Sequence, residues 1–278
     1  MIAIFHEVSH ECSRITTKRY STSFSSAIKL LDKKVQGPIY DIYGLVRFAD
    51  EIVDTFHDFD KSYLLSKFKS ETYEAIENKI SLNPILNSFQ RTVNLYNIDH
   101  KLIDAFFKSM EFDLDKAAYD SEGYAEYIYG SAEVVGLMCL YVFCNGNKKS
   151  YELLRPSAQS LGSAFQKVNF LRDVKADYQQ LNRVYFPGVD FGSFTSEMKT
   201  SIEDDIAKDF SDAYKGILQL PLTARFGVYL AYKYYLSLFK KIKALQPERI
   251  LEERIRIPNY MKAWVAAKVV IRTQLNML

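Results

Sequence analysis

Residues 161–177 read Leu161-Gly162-Ser163-Ala164-Phe165-Gln166-Lys167-Val168-Asn169-Phe170-Leu171-Arg172-Asp173-Val174-Lys175-Ala176-Asp177, and Arg183-Val184-Tyr185-Phe186-Pro187 follows shortly after. Within this stretch Gln166, Asn169, Asp173 and Asp177 are spaced 3, 4 and 4 residues apart. At about 100° per residue, those steps keep all four side chains on one face of a helix. The spacing predicts a helix from about Ser150 to Tyr178 that carries a stripe of oxygen ligands, with Arg172 beside it.

A second stripe lies upstream. Tyr43, Arg47, Asp50 and Asp54 are spaced 4, 3 and 4, among apolar Leu45, Val46, Phe48, Ile52 and Val53. Alone, it could simply face water, with Arg47 pairing Asp50 or Asp54 along the helix. Two such helices change the reading, because each offers oxygen ligands on consecutive turns. Mg²⁺ takes oxygen donors in octahedral geometry, usually a few carboxylates completed by phosphates and water. An Asn among the donors suits Mg²⁺ better than zinc, which prefers His and Cys. Arg47, Arg172 and Arg183 stand close by in sequence, as a diphosphate would require. No GxxxxGK[ST] occurs, so the pattern is not a P-loop nucleotide site.

Helical periodicity continues outward in both directions, without a convincing strand or hairpin. Ser21 is placed to cap a helix to about Leu31, and a helix is expected after Gly37-Pro38 to about Thr55. Others are expected over 61–80, from Asn83-Pro84 to Tyr96, after Asp99, and from Ser121 to Phe143. Residues 179–196 read as an extended loop, and breaks near Pro221, Pro247 and Pro258 divide the final helices. Only 11 Gly and 7 Pro in 278 residues argue against a turn-rich β chain. No linker or repeat divides residues 1–278, so one all-α domain is expected. The 20 Tyr and 19 Phe fit either an aromatic core or an aromatic-lined ligand cavity.

The net charge of +2 gives no reason to expect nucleic acid. Cys12, Cys139 and Cys144 cannot all pair within the chain, which fits a reducing, cytoplasmic setting. The N-terminus lacks the pattern of a signal peptide, and no apolar run approaches the roughly 20 residues of a membrane span. Any membrane contact is therefore expected to be peripheral, at the inner face, and no amphipathic basic helix marks it.

The 161–187 stretch resembles, position by position, the long signature of squalene and phytoene synthases, including its trailing Arg-x-Tyr-x-Pro. Asp50-Glu51-Ile52-Val53-Asp54 is similar to that family's first DxxxD element, with Tyr43 and Arg47 at the matching distance before it. Residues 127–136, ending Ser131-Ala132-Glu133-Val134-Val135-Gly136, resemble its other signature, except that Glu133 stands where a small residue is usual. Ser21-Thr22-Ser23-Phe24 resembles an early Ser-x-Ser-Phe, and Tyr235 and Arg254 resemble a late Tyr and Arg.

The resemblance implies a single-domain isoprenoid-synthase helical bundle with a central cavity. It also implies diphosphates held through Mg²⁺, with Mn²⁺ able to substitute, between the two aspartate helices. Asp50, Asp54, Asn169, Asp173 and Asp177 are then the metal ligands. Tyr43 and Arg47 join the aspartates as catalytic residues. Ser21, Ser23, Phe24, Arg47, Tyr127, Gln166, Asn169, Arg172, Arg183, Tyr185, Tyr235 and Arg254 become substrate contacts. The implied reaction joins two geranylgeranyl diphosphates head to head, through a cyclopropylcarbinyl diphosphate (prephytoene diphosphate), to phytoene in carotenoid biosynthesis. That product needs no NADPH. The C30 alternative, squalene or dehydrosqualene from farnesyl diphosphate, shares the same site, and a downstream carotenoid enzyme is an expected partner.

Three other readings compete. His6-Glu7-Val8-Ser9-His10 satisfies the HExxH of zinc hydrolases, but its place at the extreme N-terminus offers little framing and only His57 and His100 remain as histidine ligands. A non-enzymatic assembly factor would be expected to lack parts of the aspartate motifs, which are complete here. A class I terpene cyclase would carry a DDxxD, which is missing.

Overall fold

The computed structural model describes residues 1–115, 119–179, 185–189, 191, 194–252 and 254–274, and among these there is no strand. The helices are α1 (Ile2–Tyr20), α2 (Thr22–Ile28), α3 (Lys33–Thr55), α4 (Lys61–Asn78), α5 (Pro84–Tyr96), α6 (His100–Asp115), α7 (Ser121–Ile128), α8 (Val134–Cys144) and α9 (Lys148–Gln179). A π-helical turn, Tyr129–Glu133, joins α7 to α8. Then come α10 (Ser196–Ile217), α11 (Leu222–Lys243), α12 (Pro247–Glu252) and α13 (Asn259–Gln274). The all-α expectation is met.

Capping chemistry explains most boundaries. Ser21 accepts a hydrogen bond from the Phe24 amide and opens α2, which ends at Ile28 rather than near Leu31. Asn83 accepts from the Ile85 amide, with Pro84 in the first turn of α5. Gly37-Pro38 misleads as punctuation. Asp32 accepts from the Lys34 amide and starts α3 at Lys33, so Pro38 lies inside the helix. Burial of Val35, Ile39, Tyr40 and Ile42 offsets the lost backbone bond.

The run from Ser121 to Cys144 is, by length and composition, apolar enough to cross a membrane, contrary to the expectation from sequence. Its apolarity is accounted for inside the bundle, where Ile128, Val134, Leu137, Met138, Leu140 and Val142 are buried against neighbouring helices. The π turn presses closely on α9. A Cβ at Gly162 would meet the Ala132 carbonyl and the Glu133 Cα, each at 2.8 Å, so only glycine fits. Glu133 is accommodated by turning its carboxylate to accept from Gln159 Nε2 at 2.8 Å, and burial pushes that carboxyl upward.

The N-terminal segment is well framed after all, because α1 packs on α3 and α5. Its buried face is polar, formed by Ser9, Ser13 and Thr17. His10 Nδ1 lies 2.7 Å from Asp41 Oδ1, Thr92 donates to the other Asp41 oxygen, and Asn87 bridges His6 and Ser9. Both histidines of the HExxH motif are thus engaged in helix packing. Among the described residues, no three His, Cys, Asp or Glu side chains converge to hold a metal unaided.

Two apolar clusters wall the centre. One gathers α3–α6 and α8 around Leu45, Phe89, Phe106 and Leu137. The other gathers α9–α11 around Leu171, Phe210, Tyr229 and Ile242.

Candidate active site

A cavity of about 510 Å³ runs between those two clusters. Its depth is apolar, with Phe106, Met110, Leu140, Phe143, Leu154 and Leu220 on its walls. Its mouth is polar and draws on α2, α3, α9 and the segment before α13. Of the residues expected to bind or react, Ser21, Phe24, Tyr43, Arg47, Asp50, Tyr127, Gln166, Asn169, Arg172, Tyr235 and Arg254 line it.

On the α3 side, Arg47 Nη1 donates to Asp50 Oδ2 at 2.6 Å, and Nη2 pairs with Glu51. The guanidinium also lies 4.3 Å from the centre of the Tyr20 ring. Its Nε is buried and finds no partner among the described residues, leaving a donor for an anion. Burial and the neighbouring Asp54 charge push the Asp50 carboxyl up to about 7, against the pull of Arg47. Asp54 itself is exposed at the rim.

On the α9 side, Asp173 is clasped by two arginines. Arg172 Nη2 lies 2.5 Å from Oδ2, and Arg254 Nε lies 2.7 Å from Oδ1. Asn169 stands one turn earlier, with its Oδ1 accepting from Tyr235 at 3.2 Å and its Nδ2 facing Gln166 Oε1 at 3.4 Å. Asp177 is on the same helix with its side chain outside the described residues, as is all of Arg183.

Aromatic rings floor the space just behind the mouth. Phe165 stacks on Tyr235 at 3.9 Å, and Phe24 lies 6.0 Å from Tyr43 and 5.8 Å from Tyr235. Burial pushes the Tyr43 hydroxyl up to about 12, so it stays protonated. Tyr127 touches the cavity while its hydroxyl donates to Asp113 at 2.8 Å. Tyr185 does not line the cavity but stacks on Phe170 at 4.0 Å in the buried cluster behind it. Ser23 is half-buried on α2 and also stays off the cavity wall.

Two residues escape a reading of the sequence, Tyr20 on the cavity wall and Lys262 beside it. Tyr20 adjoins the Ser-x-Ser-Phe element and shields Arg47. Lys262, on α13, donates to Thr22 Oγ1 at 2.9 Å. Burial, then repulsion from Arg172 and Arg256, lowers the Lys262 ammonium below its ordinary range. Lys262, Arg172 and Arg256 therefore make a cationic corner that an anion would relieve. No local spacing links Lys262 to the motifs, since tertiary packing alone brings it there.

Comparisons with known proteins bear on the family and the fold. A family model described as squalene/phytoene synthase matches residues 17–199. The chain is 26% identical over 201 residues to 4,4'-diapophytoene synthase of Staphylococcus haemolyticus, covering 71% of this chain and 67% of that protein. It is 25% identical over 265 residues to the chloroplastic phytoene synthase 1 of Solanum lycopersicum, covering 87% of this chain and 63% of that one. The chain thus spans about two thirds of the length of these relatives. In fold it is similar to a crystal structure of a dehydrosqualene synthase, with a TM-score of 0.81 at 19% identity and 98% of each chain covered. Squalene synthase HpnC from Alicyclobacillus acidocaldarius gives a TM-score of 0.75 at 18% identity over 86% of this chain and 95% of the other. The chain belongs to the squalene/phytoene synthase family.

Proposed function

We propose that the protein joins two prenyl diphosphates head to head, with geranylgeranyl diphosphate as donor and phytoene as product. The observation that carries this reading is the pairing of two helices, α3 and α9, that bring Arg47 with Asp50 and Arg172 with Asn169 to the mouth of a deep apolar cavity. An isoprenoid diphosphate has the matching shape, a multiply charged anionic head on a long greasy tail.

The donor set fits a hard divalent cation. Asp50, Asp54, Asn169, Asp173 and Asp177 all carry oxygen donors, and the burial and the Asp54 charge that raise the Asp50 carboxyl would be offset by a cation. When bound, Mg²⁺, or Mn²⁺ in its place, would neutralise the diphosphate and make it a better leaving group. The arginines clasping Asp173 hold it oriented and can turn to the diphosphate oxygens, as can Arg47 and Lys262.

The chemistry then follows from the walls. The C–O bond of one donor breaks and diphosphate leaves with the electron pair. The double bond of the second donor attacks the allylic cation, and loss of a proton closes the cyclopropylcarbinyl diphosphate. Breaking its C–O bond releases the second diphosphate and starts the rearrangement. Loss of a further proton ends the sequence as phytoene. Water would intercept every cation, so the dry walls matter as much as the charges. The ring faces of Phe24, Phe165 and Tyr235 are placed to stabilise positive charge just inside the mouth.

A second reading has its own support. The 26% identical relative is named for diapophytoene, which favours farnesyl diphosphate as donor and a C30 product from the same site. The test offers each donor separately with Mg²⁺, with and without NADPH, and weighs the hydrocarbon by mass spectrometry. A C40 product without NADPH supports the first reading. A C30 product exclusively would replace it with the second, and no hydrocarbon from either donor would sink both.

A further inference from the structure

α13 is apolar on two opposite sides. Val265 and Val269 are buried toward the bundle, where α13 packs on α11. Tyr260, Ala263, Trp264, Ala267 and Ile271 form the opposite stripe and are exposed. At about 100° per residue these five fall within one face. The large side chains are far from covered, with Tyr260 73%, Trp264 58% and Ile271 55% exposed. A helix on the outside of a bundle normally turns charge outward there, so this face lacks its partner.

The charge around it indicates the partner. Residues 254–272 hold five cations and neither Asp nor Glu; Arg254 pairs with Asp173 and Lys262 donates to Thr22, while Arg256, Lys268 and Arg272 are exposed. The whole chain carries only +2, so the positive charge is concentrated here. Lys268 lies over the Trp264 ring at 3.4 Å, a cation and an indole side by side at the edge of the stripe. Exposed aromatics flanked by basic residues match the boundary between anionic headgroups and acyl chains. A second copy of this chain would set like charges against each other and is disfavoured.

We propose that the exposed face of α13 docks the protein on an anionic lipid surface, with the stripe of Tyr260, Trp264 and Ile271 in the headgroup boundary. This corrects the expectation that no basic amphipathic helix marks a membrane contact. The start of α13 lies near the cavity mouth, since Lys262 on its bundle-facing side reaches Thr22 and Arg254 just before the helix lines the cavity. The docking requires only the surface. Its benefit, a short path for greasy tails between bilayer and cavity, rests on the head-to-head reading.

Trp264 is the only tryptophan, so its fluorescence reports on this face alone. The full chain is titrated with vesicles of phosphatidylcholine containing about one third phosphatidylglycerol, and with pure phosphatidylcholine, and co-sedimentation is measured in parallel. We expect a blue shift and co-sedimentation with the anionic vesicles, both suppressed by 0.5 M salt (about a 4 Å screening length). Lys268→Glu/Arg272→Glu should weaken partitioning at least tenfold, given roughly fivefold per cation. Trp264→Ser, followed by co-sedimentation, should weaken it too. Both variants should turn over detergent-dispersed substrate within about twofold of the parent, which separates this proposal from the catalytic one. Absence of anionic-vesicle binding, unchanged binding by both variants, or a blue shift that tracks protein concentration without lipid would overturn it. The last outcome would mean that a second copy covers the face.

Discussion

Arg254 reaches Asp173 across 81 residues of sequence, with its Nε 2.7 Å from Oδ1. The contact joins the segment before α13 to the ligand stripe of α9. Arg172 holds the same carboxylate from its own helix, so Asp173 is fixed from two directions.

Asp173→Asn removes one oxyanion charge but keeps the shape and a hydrogen-bonding oxygen. Turnover of prenyl diphosphate should fall at least about 100-fold, while the far-ultraviolet circular dichroism stays unchanged. Parental rates in this variant would remove α9 from the chemistry.

Asp50→Asn separates function from stability. The folded-state pKa of Asp50 is raised from 3.8 to about 7, so its ionised form opposes folding at neutral pH. The substitution should abolish turnover while the thermal midpoint stays level or rises. A clear drop in melting temperature, read by calorimetry without added metal, would contradict the crowded-carboxylate account.

Asp60 and Asp58 provide a contrast. Asp60 caps α4 by accepting from the Tyr63 amide at 2.9 Å, whereas Asp58 sits exposed in the preceding turn. Asp60→Ala should cost about 1 kcal/mol of stability in urea melts. Asp58→Ala should cost nothing measurable, and neither should alter turnover.

His10 gives the fold a pH dependence. Its hydrogen bond to Asp41 raises its pKa above 6.5, with burial opposing. The ion pair therefore stabilises the protein fully below pH 6.5 and loses that contribution as pH rises through the higher folded-state value. The melting-temperature gap between the parent and His10→Gln should be widest near pH 5.5 and narrow toward pH 8. A gap that widens with pH would reverse the assignment.

Much of this was legible in the sequence, for physical reasons. Spacings of 3 and 4 put Asp50 and Asp173 on their helix faces, and Asn83-Pro84 marks a helix start by capping alone. Other features carried no local signal. Asp32 overrides Pro38 because a cap and an apolar face outweigh one lost bond. The π turn at 129–133 shifts the helix by one backbone residue and leaves no side-chain period. α1 hides its inner face because that face is built from Ser9, Ser13 and Thr17 instead of apolar residues. Lys262 reaches Thr22 only because α13 packs back on α11. Tyr185, expected as a substrate contact, stacks on Phe170 off the cavity wall.

If one cavity joins two prenyl diphosphates, the product stoichiometry is fixed. Purified protein is given Mg²⁺ and labelled geranylgeranyl or farnesyl diphosphate, with EDTA as control. Released diphosphate is counted against donor consumed and against the mass of the organic product. We expect one diphosphate released per donor consumed, a hydrocarbon with twice the donor's carbons, and no reaction in EDTA. A prenyl alcohol or cyclic hydrocarbon with the carbon count of a single donor would contradict it.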